Sequence, residues 1–350
     1  MVMIRIVNNT QGTVLAVSVV FALLATTSVC LRFYARKFKK NPIKADDWCI
    51  LIALILALGL VACDMTGVII GGVGLHITDV AEEYGPQPLI SFAKDLIAVQ
   101  ILWATSLAMT KSSILLFYMR IFNVADRTFR IITRLATVTI VLWCLSVILC
   151  GFLLCRPFAF NWDQSIPGGK CGNQVLSYIL TGSFNIVTDV MVLCIPIPRI
   201  WRLQMPFRSK VGLTLIFAVG FFICVISVVR TITLVHISYL DITHSVPTAL
   251  IWSMLEPTLG ITIACVPVMR PMLVSVLPSI KGSSNKTGSS GTVFDSRNFQ
   301  NIDEQQLYPL ANVKKQSIVR GQRRRQGGLD TEAEHSDLNG SDHAINFWTA

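Results

Sequence analysis

The sequence is poor in charge. Of its 350 residues 14% are Asp, Glu, Lys or Arg, against 53% hydrophobic residues, and the mean hydropathy is +0.60. Soluble domains carry roughly 25% charged residues, so the shortfall excludes one large soluble domain. The high apolar content equally excludes a mostly disordered chain. The shortfall is also uneven, with 33 charged residues in the first 272 positions and 17 in the last 78. Zinc-type C-x-x-C spacing is absent, and eight of the ten cysteines lie in or near apolar runs, where a thiol behaves as a small hydrophobe. No internal repeat is visible. The net charge of +10 does not point to nucleic acid, because most basic residues sit beside apolar segments, as topology determinants do.

What is present is a series of long apolar runs. A bilayer core of ~30 Å needs about 20 apolar helical residues per crossing. Seven segments qualify: Val14–Phe33, Trp48–Gly71, Leu96–Met119, Ile131–Leu154, Val175–Ile197, Val211–His236 and Thr248–Pro271. The first is too long for a signal peptide, and its charges follow the apolar run. The expected fold is an all-α membrane protein, a seven-transmembrane-helix bundle. Residues 1–13 form a short outer N-terminus, 14–272 the membrane domain and 273–350 a largely disordered tail. Orientation follows from Lys and Arg near the span ends. Fifteen lie on one side: Arg32, Arg36, Lys37, Lys39, Lys40, Lys44, Arg120, Arg127, Arg130, Arg134, Arg199, Arg202, Arg208, Lys210 and Arg270. Four lie on the other: Arg5, Lys94, Arg156 and Lys170. This count predicts the N-terminus outside and the C-terminus in the cytosol. Asn8 then heads a glycosylation sequon on the outer side, while the sequons at Asn285 and Asn339 fall in the tail. Cys155 and Cys171 flank one polar outer loop and are expected to pair in an oxidising compartment.

Several ordered motifs resemble the fungal rhodopsin-domain family of orphan receptor-like membrane proteins, of the kind found in satratoxin clusters. They are Ala45-Asp46-Asp47-Trp48 entering span two and Lys111-Ser112-Ser113-Ile114-Leu115-Leu116-Phe117-Tyr118-Met119-Arg120-Ile121-Phe122 closing span three. The loop Cys155-Arg156-Pro157…Asn161-Trp162-Asp163…Cys171 fits as well. So do Asn185…Asp189…Pro196-Ile197-Pro198, Arg230, and Glu256…Pro267…Arg270-Pro271. The resemblance implies a receptor-like topology and, for some members, a place beside secondary-metabolite genes. Some members carry an outer cysteine-rich module. About a dozen residues precede span one here, so that module is not expected, and a ligand would meet the outer loops or the bundle.

Ionisable groups inside spans cost roughly 2.5–3.5 kcal/mol each on insertion scales and mark functional sites by default. Asp64, Lys111, Asp189, Arg230 and Glu256 are the ligand or switch candidates, with internal ion pairing as the bland alternative. Lys111 and Asp189 each lie nine residues before the inner end of their span (Arg120 and Pro198), so they sit at matched depth and are expected to face each other. Asp46 and Asp47 read first as helix caps, and together with Tyr118 and Arg120 as sites of cytosolic coupling. His76, Asp79, Glu82, Glu83, His236, Asp241 and His244 fall near the outer face without a recognised ligand spacing, so no metal is expected. In the tail, Gly282–Gly291 reads as a flexible linker, and Arg323-Arg324-Arg325 could attract anionic lipid.

These features predict a sensory or signalling protein of the plasma membrane, not an enzyme, with no cofactor. Its partners are membrane lipid, an unknown small ligand from outside or within the membrane, and a cytosolic G protein or scaffold. Retinal would need a lysine in span seven, and Thr248–Pro271 has none. The alternatives are a small-molecule transporter, or a membrane-embedded biosynthetic enzyme or accessory protein of a secondary-metabolite pathway. The first four spans lack the internal prolines of transporters with broken helices.

Overall fold

The computed structural model describes residues 4, 8–38, 40, 42–121, 127–163, 165–198, 207–237 and 241–276. The tail from residue 277, with Asn285, Asn339 and the arginine triplet, lies outside them, as do Arg5, Lys39, Arg199 and Arg202.

Among the described residues, seven helices are long and apolar enough to cross a membrane. They are α1 (Asn9–Phe38), α2 (Ala45–Ile69), α4 (Gln87–Ile121), α5 (Arg127–Leu153), α6 (Gln174–Cys194), α7 (Phe207–Val235) and α9 (Pro247–Val276). Two short helices, α3 (Ile77–Tyr84) and α8 (Ile242–Ser245), occupy connections at the N-terminal end. Neighbours in the chain pack side by side, and α9 returns to α1, so the seven close into a ring. Helix α9 also touches α2 and α4 across the ring. It is the most enclosed span, with 61% of its apolar window buried.

The bundle is apolar outside and polar within. Leu23, Leu135, Leu142, Val187 and Phe221 face outward, as lipid contact requires, while Asp64, Lys111, Asp189, Arg230 and Glu256 are all buried. Backbone groups are satisfied inside the helices, and serine and threonine hydroxyls bond back one turn, as in Thr26 to the Ala22 carbonyl and Thr258 to the Met254 carbonyl. Small residues allow close approach. A Cβ on Gly182 of α6 would lie 2.6 Å from Thr231 Oγ1 of α7.

Helix ends lie within five residues of the expected span ends except at the start of α4. It starts at Gln87 and has 35 residues, about 52 Å at 1.5 Å per residue, against a hydrocarbon core of ~30 Å. Lys94 and Asp95 interrupt the apolar run, which is why the sequence places the span's start at Leu96.

The α5–α6 connection is a small hairpin, β1 (Cys155–Arg156) against β2 (Lys170–Cys171), with Cys155 opposite Cys171. These two cysteines form the disulfide. A 3-10 turn at Phe158–Asn161 sets Phe158 edge-on to Trp162 at 5.0 Å, and Lys94 Nζ lies 5.4 Å from the Trp162 ring centre. Asp163, half-buried in this loop, is held below the usual carboxylate range by hydrogen bonds from the Ser165 hydroxyl and backbone. Asn8 is exposed, and its side-chain amide donates to the Gly74 carbonyl at 3.1 Å.

Thiol reagents applied without reductant should leave Cys155 and Cys171 unmodified, and reduction should open both. Closing a loop of about 15 residues stabilises by ~3 kcal/mol in the chain-entropy model, so Cys155→Ser should lower thermal stability measurably. Free thiols at both positions in unreduced protein would reject the pairing.

Candidate functional site

Five of the seven spans send polar side chains to one buried network. Helix α4 supplies Trp103 and Lys111, α5 Trp143, and α6 Asn185, Thr188 and Asp189. Helix α7 supplies Ser227 and Arg230, and α9 Ser253 and Glu256. At its centre Lys111 Nζ lies 2.9 Å from Asp189 Oδ1, with both side chains less than a tenth exposed. The same ammonium donates to Asn185 Oδ1 at 2.8 Å and Thr188 Oγ1 at 2.9 Å. It also stands 5.2 Å from the Trp143 ring centre. A lone buried ammonium would be prohibitive; this one has a carboxylate, two oxygen acceptors and an aromatic face.

Glu256, fully buried, anchors the other half. Its Oε1 accepts from Asn185 Nδ2 at 2.6 Å and from Ser227 Oγ at 2.5 Å. Its Oε2 accepts from Trp103 Nε1 at 3.0 Å. Arg230 does not bridge Glu256 directly. Its guanidinium stacks 3.3 Å above the Trp103 ring and its Nε donates to Ser253 Oγ at 2.9 Å. Trp103 therefore stands between cation and carboxylate, using its face for one and its N–H for the other. Two acids and two bases balance in one apolar bundle.

Ser227 joins the halves. Its hydroxyl also lies 2.8 Å from Asp189 Oδ2. A hydroxyl has one proton to donate, yet it faces two carboxyl oxygens and, one turn back, the Ile223 carbonyl at 3.1 Å.

A second cluster lies at the opposite end from the hairpin. Arg32 and Arg36 of α1 clasp Asp46 and Asp47 of α2 in four contacts of 2.6–3.0 Å. Arg32 Nη1 reaches the Ala264 carbonyl of α9 at 2.8 Å, and Ser113 of α4 donates to the Asp46 carbonyl at 2.7 Å. All four charged side chains are buried. This corrects two expectations. Arg32 and Arg36 are internal partners instead of loop charges, and Asp46 and Asp47 are enclosed instead of open to a partner. The reason is reciprocal: two guanidinium groups without water need carboxylates, and this pair is the nearest. Asp47 keeps its capping role as well, accepting from the Lys44 N–H at 3.1 Å. Arg120, about a quarter exposed, stands 3.8 Å from Asp46, and Tyr118 packs against the main apolar core.

Asp64 belongs to neither cluster. It is buried, and its Oδ1 has no hydrogen-bond partner. The nearby charge acting on it is Asp95, to which Thr66 donates at 3.3 Å. Sequence reasoning missed Asp95 because it fell just before the expected start of its span. It also missed Trp103, Ser227 and Ser253, which carry no charge to mark them. Of the histidines and acids near the N-terminal end, His76, Asp241 and His244 come together. A hydrogen bond with Asp241 raises the His76 imidazole above its ordinary value. Asp241 itself is held low: desolvation opposes this, but hydrogen bonds from His76 and the Ile77 N–H prevail.

Residues 31–275 match the model of the fungal rhodopsin domain. Among relatives, the "Polyenoic acids biosynthesis gene cluster protein Ba17b" of Metarhizium anisopliae is 29% identical over 282 residues, 77% of this chain and 76% of that protein. A "SAT4 family membrane protein" of Emericella nidulans is 36% identical over 202 residues, 57% of this chain and 49% of that protein. "Receptor GIN3" of Arthrobotrys oligospora is 25% identical over 304 residues, 78% of this chain and 68% of that protein. No solved structure matches.

Removing one partner of a buried ion pair costs about 3–5 kcal/mol. Lys111→Ala and Asp189→Ala should therefore each be severely damaging. The double variant should fall short of their sum by ~1–3 kcal/mol, as coupled sites do. Thermal unfolding of the detergent-purified protein measures it, and strict additivity would reject the coupling.

Proposed function

The chain belongs to the fungal rhodopsin domain family, and on that premise we propose that it is a receptor-like membrane protein, sensory or signalling in role. In this reading it has no catalytic activity. The observation that carries it is the Ser227 hydroxyl, 2.5 Å from Glu256 and 2.8 Å from Asp189. Its single proton satisfies one acceptor at a time, with the Ile223 carbonyl at 3.1 Å as a third beside the two carboxyls, so the network has alternative arrangements that differ in which carboxyl the hydroxyl serves. A bistable element biased by a local change of partner is what a switch requires. A small ligand offering a donor to Glu256 frees Ser227 for Asp189, which loosens the hold of Asp189 on Lys111. Lys111 lies nine residues before Arg120 on the same helix, so a change at the network is felt at the basic end.

That end faces the cytosol in this proposal, on the strength of the Lys and Arg asymmetry. In this reading the partly exposed Arg120, with Tyr118 beside it, is the contact for a G protein or scaffold, and the plasma membrane is the expected site. The relative named as a receptor supports the reading. Other relatives are named for biosynthesis clusters, which favours a second reading, an accessory membrane protein of such a pathway. An enzyme would need acid and base groups open to a substrate, whereas the central ones here face one another.

Retinal does not fit these residues. Helix α9 has no lysine, and Lys111 on α4 is already held by Asp189, Asn185 and Thr188.

Two outcomes are expected. The full chain should retain a Gα subunit or another defined cytosolic partner on purification, and Ser227→Ala should change that retention several-fold while still reaching the membrane. If no variant retains a partner above background, and deletion of the protein alters only a secreted metabolite, the accessory reading replaces this one. Protein supplied with all-trans or 11-cis retinal should develop no red-shifted band; a band bleached by hydroxylamine would overturn the assignment.

A further inference from the structure

Two histidines and an aspartate meet at the N-terminal end of the bundle, apart from both buried clusters. His76 ends the turn that follows α2, and Asp241 and His244 belong to the connection between α7 and α9. One ligand atom from each lies within 4.8 Å of the other two. The imidazole rings are parallel, 4.3 Å apart and inclined by 9°. We propose that His76, Asp241 and His244 form a site for a zinc-type divalent cation, which fastens the α2–α3 turn to the α7–α9 connection.

Two imidazoles and a carboxylate are a nitrogen–oxygen donor set suited to Zn²⁺, with a fourth tetrahedral position left for water. Bonds of 2.0–2.1 Å place tetrahedral ligand atoms roughly 3.3 Å apart. The ligand atoms, all within 4.8 Å of one another, differ from that spacing by about 1.5 Å or less. His76 Nδ1 and Asp241 Oδ2 stand 2.5 Å apart in a hydrogen bond, so this pair opens to roughly 3.3 Å as the ion replaces the shared proton, which leaves to solvent.

The backbone beneath is already fixed. Asp241 Oδ1 accepts from the Ile77 N–H at 3.0 Å, which orients the carboxylate. The Gly74 N–H donates to the Thr243 carbonyl at 2.8 Å, tying the two segments directly. Gly74 adopts φ +96°, and a Cβ there would lie 2.9 Å from Gln11 Cγ. Val80 of α3 and Val246 after α8 are buried, while both imidazoles remain exposed to an arriving ion. Ligands on rigid supports lose little freedom on binding.

The chain has five histidines, the others being His236, His335 and His343, so the assignment is testable by subtraction. The full chain, purified in detergent with a tag free of histidine, is titrated with Zn²⁺ by calorimetry and scored for thermal midpoint. Wild type should bind one ion per chain at this site and gain thermal stability. The variant His236→Ala/His335→Ala/His343→Ala should keep both properties. His76→Ala and His244→Ala should each weaken binding roughly tenfold or more and abolish the thermal gain, and Asp241→Asn should act in the same direction. Mg²⁺ should not compete. Absence of saturable binding in wild type would overturn the proposal. So would binding that survives His76→Ala/His244→Ala unchanged, or binding lost in the control variant.

Discussion

An apolar bundle that encloses charge must cancel it locally, and the interior of this protein is organised around that requirement. Lys111 and Arg230 face Asp189 and Glu256 across a shared set of amide, hydroxyl and indole groups. Near the other end Arg32 and Arg36 face Asp46 and Asp47. Helices α4 and α9 take part in both clusters. Rotation of either would strand a charge in a medium with no water to receive it, at a cost of several kcal/mol. The apolar contacts are non-directional and would tolerate other rotations; the polar ones would not.

Much of this was legible in the sequence, and the limits have physical causes. Runs of some 20 apolar residues define a span whatever its neighbours do, so all seven were found. The Lys111–Asp189 pair was readable because depth along a helix is a matter of counting. Arg32 and Arg36 were misread because they sit in a basic stretch that resembles an ordinary loop; only the fold reveals carboxylates waiting across the turn. Asp95 was hidden by the hydropathy dip it helps to create. Ser227 and Trp103 were invisible for a different reason. A hydroxyl or an indole in an apolar run is common, and nothing but three-dimensional placement shows which one completes a network.

The Arg230–Glu256 relation illustrates how depth counting runs out. The two fall in the same half of the bundle, but a direct bridge is replaced by the Trp103 ring. Facing a guanidinium with an aromatic plane leaves both oxygens of Glu256 free for other donors. That is why the carboxylate can serve Asn185, Ser227 and Trp103 together.

The two charge clusters also differ in when they can close during biogenesis. Arg32 and Asp47 are 15 residues apart, so α1 and α2 can neutralise each other as a hairpin while the chain is still emerging. Lys111 meets Asp189 78 residues later, a wait of roughly 4–16 s at ordinary synthesis rates. Trp103 finds Glu256 only after 153 residues. Until Asp189 arrives, α4 carries an uncompensated ammonium. The nascent protein therefore passes through a vulnerable interval in which α4 must be sheltered by the insertion machinery or lie at the interface, and quality control has its clearest view of a defective chain.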